Sequence, residues 1–83
     1  MKTTAQAVRT ALKDDALSLG TPSDRSRKLL DVAGVFPDDE RGEILDTAFK
    51  EAQNIENTED RINRMRDLHN AVQDLESRTK TQD

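Results

Sequence analysis

Cysteine, tryptophan and tyrosine are absent from this 83-residue chain, which has only two phenylalanines, two prolines and three glycines. Without cysteine, no disulfide or thiolate metal site can reinforce a small fold. Without Trp or Tyr, and with both Phe residues read as core, no stacking platform for single-stranded nucleic acid is visible. The three glycines are isolated, so none builds a phosphate-cradling loop. The single histidine, His69, has no neighbour that completes a triad or a metal pair, so no enzyme activity is expected. No stretch nears the roughly 20 apolar residues that span a bilayer. Met1–Leu19 also lacks an apolar run of signal-peptide length, so a cytoplasmic protein without a membrane partner is expected. Alternating β-branched runs are missing throughout, and with them any sign of strands.

Charge is plentiful and unevenly spread. Residues 1–30 carry a net +3, residues 31–60 a net −8 and residues 61–83 a net +1, within an overall −4. Such asymmetry governs which partners approach which surface and leaves the fold undetermined.

Helical periodicity supports an all-α fold, a small bundle of three or four helices in a single domain. A first helix over about 4–19 places Ala5, Val8, Leu12, Ala16 and Leu19 on one face, with Gly20 at the position of a left-handed cap. A second over 22–33 opens at Thr21-Pro22-Ser23-Asp24, where Thr21 caps and Pro22 suits the first turn; Gly34 and Pro37 end it. A third over 38–56 takes Asp38 as its cap and carries an apolar stripe from Ile44 to Ile55, with Gly42 a weak point near its start. A fourth opens at Thr58 and covers about 59–77, with Ile62, Met65, Leu68, Val72 and Leu75 as its stripe. The last four alternate by three and four residues, a heptad seam of two repeats. The short connection near Asn57 makes the third and fourth helices an antiparallel hairpin. Residues 78–83 lack large apolar side chains and are expected to fray. No internal repeat is seen.

Eighteen sizeable apolar side chains, Met1 and the alanines aside, make a thin core for 83 residues. Burial against another chain, as a homodimer or with a partner, is therefore expected. By exclusion the chain reads as a small protein-binding regulator, inhibitor or adaptor acting on a larger protein. Its candidate anchors are Phe36, Ile62, Met65, Leu68, His69, Val72 and Leu75, with Asp38, Asp39, Glu40 and Glu43 setting orientation. His69 shares a flank with Ile62 and Glu76 beside the seam.

The competing reading is a DNA-binding regulator using Arg9, Lys13, Arg25, Arg27 and Lys28 on phosphates. A helix-turn-helix made of helices two and three would instead turn Asp38, Asp39, Glu40 and Glu43 towards DNA. Arg61, Arg64 and Arg66 spread around the fourth helix as a solvated face, with Arg64 pairing to Asp67 and Arg78 to Asp74. A third reading is a structural subunit of a larger assembly such as a phage particle. The carboxylates of residues 38–43 lack the spacing of a metal loop, so no metal or cofactor is expected.

Overall fold

The computed structural model describes residues 2–80. These form four helices and no strand: α1 (Ala5–Leu17), α2 (Pro22–Ala33), α3 (Asp38–Ala52) and α4 (Thr58–Lys80). Each of the three inter-helix connections is four or five residues long, so neighbours in sequence pack as neighbours in space. Most packing lies between α2 and α3; α1 rests on α2, and α4 runs antiparallel to α3 and touches α2. The hairpin of α3 and α4 is present, with α2 as the central element between it and α1. The molecule is a slab of 42 × 37 × 14 Å. Its radius of gyration is 13.5 Å, against roughly 12 Å for a rounder domain of this length.

Hydroxyls and amides start the helices as their chemistry dictates. Thr4 Oγ1 accepts from the Ala7 N–H at 3.1 Å, Thr21 Oγ1 from the Asp24 N–H at 3.1 Å, and Asn57 Oδ1 from the Asp60 N–H at 2.9 Å. At α3 the cap position is Pro37, and no side chain caps it; Asp38 is already helical and turns to arginines instead. No glycine has positive φ among the described residues. Ser18 is the C-cap of α1, and three residues later Thr21 already caps α2, so Gly20 is not the left-handed cap that the sequence suggests. Gly34 ends α2 with φ of −64°. α3 stops at Ala52, and Ile55, although in the turn, is buried.

The core joins Ala16, Leu29, Val32, Ala33, Phe36, Ile44, Leu45, Ala48, Ala52, Ile55 and Leu68. Phe36 and Leu68 are 5% and 3% exposed, which removes both as surface anchors. Phe36 is buried because the α2–α3 turn folds inward over the end of α2. Val35 takes the outward position there and is exposed. Helix α4 continues through Lys80, past the expected end at 77. Arg78 pairs with Asp74 at 3.8 Å and with Asp38 at 3.1 Å in these final turns; of the tail expected to fray, 78–80 are helical and 81–83 lie outside the described residues.

A recurring local device closes the turns. The fourth residue of α2, α3 and α4 is each time an arginine: Arg25, Arg41 and Arg61. Each folds back onto carbonyls of the preceding turn. Arg25 Nη1 donates to Leu19 O at 2.8 Å, Arg41 Nη2 to Phe36 O at 2.9 Å, and Arg61 Nη1 to Ile55 O at 2.7 Å. Arg41 also donates to Gly34 O, and to Ala33 O, which accepts from the Phe36 N–H as well. Asp24, Glu40 or Asp60 precedes the arginine in every case. The chain thus carries a short repeated unit, acid then arginine at the end of a first helical turn, where the sequence reading finds none.

Candidate functional site: the groove between helices α3 and α4

The heptad seam of α4 meets α3 along one edge only. Leu68 is buried there, while Met65 and Leu75 are half-buried and Val72 stays 38% exposed. On α3, Phe49 sits one turn beyond Leu45 and stays 43% exposed. Between them lies an open cavity of about 610 Å³. Its apolar walls are Leu45 and Phe49 from α3 and Met65, Leu68, Val72 and Leu75 from α4. Gly42 forms part of the floor: a Cβ there would stand 3.9 Å from Leu75 Cδ2, so the missing side chain leaves width at this end. The polar rim consists of Glu43 and Asp46 on α3 and His69, Gln73 and Glu76 on α4. Asp38, held by Arg41 at 3.4 Å and Arg78 at 3.1 Å, ties the start of α3 to the end of α4 and keeps the two walls in register.

Of the proposed anchors, the fold brings Met65, Leu68, His69, Val72, Leu75 and Glu43 to this one groove. Ile62 is 59% exposed on α4, outside the groove lining. Phe36 lies in the core. Asp39 is exposed, and Glu40 faces α1, where it meets Arg9 at 3.7 Å. Phe49 and Gly42 are groove residues that sequence reasoning misses as binding residues. Phe49 is assigned to the core stripe because helical spacing alone does not show which flank of a stripe its neighbours leave open.

The basic set disperses. Arg9 pairs with Glu40, Arg25 with Glu51 at 2.8 Å, and Lys28 with Asp31 at 3.8 Å. Arg27 is exposed and Lys13 half-buried. Arg64 is 5% exposed, contrary to the solvated face expected of it, and makes no ion pair with Asp67 among the described residues. Its Nη1 donates to Ser23 O at 2.8 Å and Ser26 Oγ at 3.2 Å, pinning α4 to the start of α2. Ser23 Oγ completes the clasp by donating to Asp60 at 3.1 Å. No helix of the described residues is long and apolar enough to cross a membrane.

Comparison with known proteins yields no match: no family model, no curated protein sequence and no solved structure aligns with this chain. The chemistry of the groove is therefore the guide to function.

Proposed function

We propose that this protein is a non-catalytic interaction module that receives a helix of a larger protein in the α3–α4 groove. The observation that carries this reading is the pair Phe49 and Val72, large apolar side chains left 43% and 38% exposed on the two walls of one apolar trough. Exposed apolar side chains scattered singly are ordinary, whereas a concave apolar strip with a polar rim is the form that a helix-in-groove contact takes. The DNA-binding reading has less support, because Arg9, Arg25 and Lys28 already face carboxylates of the same chain.

The test uses Val72→Glu and Phe49→Glu. Both positions are partly solvated, so folding stability is expected to fall by only about 1 kcal/mol, checked by circular dichroism during thermal unfolding. Affinity capture from the native host, with and without nuclease, then gives the functional result. A stoichiometric protein that survives nuclease and is lost with Val72→Glu, but kept with Asn63→Asp on the opposite side of α4, supports the reading. Recovery that depends on nucleic acid and is indifferent to Val72 refutes it and favours the DNA-binding class.

A further inference from the structure

We propose that the occupant of the groove is an amphipathic helix of about three turns that carries lysine or arginine beside its apolar stripe; this rests on the groove being the binding site and adds the chemistry of the partner. The first argument is charge. The groove lining holds three carboxylates, Glu43, Asp46 and Glu76, and neither lysine nor arginine. Lys50 reaches Asp46 at 4.0 Å from outside the lining, but these side chains are 75% and 68% exposed, so the pair is weak and easily exchanged for another cation. Carboxylates therefore stand on both walls, two on α3 and one on α4, around an apolar floor. A ligand that covers the floor with apolar side chains brings its flanking residues against these carboxylates, and cationic flanks meet them most favourably.

The second argument is length. The α4 wall runs from Met65 to Glu76. At 1.5 Å per residue this is roughly 16–18 Å, the length of a three-turn helix. Three turns present apolar residues at i, i+3 or i+4, i+7 and so on, enough to reach Met65, Val72 and Phe49 together. The charge argument also bears on the rival occupants. A second copy seated face to face would bring its own Glu43, Asp46 and Glu76 against the same three, with no lining cation to offset them. An acidic peptide meets the same repulsion.

The test measures fluorescence anisotropy with three labelled 18-residue probe peptides and the full chain. One has a leucine stripe flanked by lysines; a second has the same stripe flanked by glutamates; a third has the lysine-flanked composition scrambled to destroy the stripe. The lysine-flanked peptide is expected to bind about tenfold or more tighter than the glutamate-flanked one at low salt, with the gap closing as NaCl rises. Combining Glu43→Lys, Asp46→Lys and Glu76→Lys is expected to reverse the preference. Equal binding of both striped peptides, abolished by Val72→Glu, overturns the charged-partner inference and leaves the groove standing. Binding of the scrambled peptide as tight as the striped one, or no loss with Val72→Glu, overturns the inference by showing attraction outside the groove. No binding by any peptide overturns the inference and the groove reading together. Sedimentation that reveals a dimer broken by Val72→Glu overturns it in favour of a second copy.

Discussion

Arg64 and Ser23 lie 41 positions apart in sequence, yet Nη1 of the arginine reaches the serine carbonyl at 2.8 Å. The same nitrogen reaches Ser26 Oγ at 3.2 Å, and Ser26 is fully buried. A charged group is thus used as a hydrogen-bond donor to neutral oxygens at the junction of α2 and α4. Such charge-assisted bonds are stronger than neutral ones, and losing the arginine leaves only the neutral bond that Ser26 Oγ donates to Ser23 O at 3.1 Å.

Arg64→Ala is therefore expected to destabilise the fold by about 2–4 kcal/mol. Ser26→Ala should cost only about 1 kcal/mol, because Ser23 O keeps its bond from Arg64. Urea denaturation followed by circular dichroism compares the two. An Arg64→Ala protein as stable as the parent would show that the clasp contributes nothing.

Core and groove side chains of the same apolar type should separate cleanly. Phe36→Ala is expected to cost about 3–5 kcal/mol, whereas Val72→Ala should cost only about 1 kcal/mol or less. Leu68→Asp should unfold the chain, so loss of binding in that variant says nothing about the groove. The measurement is a thermal melt of each variant. A Phe36→Ala protein melting with the parent would place that ring at the surface.

Gly42→Ala is expected to stabilise the fold by about 0.5–1 kcal/mol. The glycine is helical and without positive φ, and the new methyl group would meet only Leu75 Cδ2 at ordinary contact distance. The same methyl narrows one end of the groove, so weaker binding of the lysine-flanked peptide should accompany the higher melting temperature. A lower melting temperature would show that Leu75 cannot accommodate it.

Arg25 and Glu51 offer a test of a half-buried ion pair. Their side chains are 24% and 23% exposed, and the contact is 2.8 Å. A double-mutant cycle with Arg25→Ala and Glu51→Ala is expected to give a coupling of about 1 kcal/mol that weakens in high salt. A coupling of zero would leave the Leu19 carbonyl bond as the whole reason for Arg25.

Much of the fold is legible from spacing and caps. Thr21 caps where its hydroxyl suggests, and Ile44, Leu45, Ala48 and Ala52 of the third stripe form the buried face of α3, with Phe49 left exposed beside them. The arginines are not legible in this way. Arg25, Arg41, Arg61 and Arg64 bond to backbone carbonyls, and a carbonyl belongs to every residue, so no pattern of residue types announces the partner. The groove is half legible. The seam of Met65, Leu68, Val72 and Leu75 marks an apolar flank, but only the placement of α3 decides that Leu68 is covered and Val72 is not. Phe36 shows the same limit: a phenylalanine before a proline reads as a turn residue, and the direction in which that turn folds depends on α2 and α3 together.

The arginine device has a consequence for how the chain reaches its native state. Arg41 closes on Ala33, Gly34 and Phe36 across separations of only eight, seven and five residues, while Arg64 closes on Ser23 and Ser26 across 41 and 38. Short loops close at little entropic cost, and long ones close late. The corner between α2 and α3 is thus expected to organise early, with α4 docking onto it as the final step. In stopped-flow folding experiments, Arg41→Ala should then slow refolding, and Arg64→Ala should mainly speed unfolding. The reverse pattern would place the docking of α4 first. The apolar trough is then the last surface to be assembled and exists only once α4 has docked, so a product of synthesis that stops short of α4 has no groove with which to capture a partner.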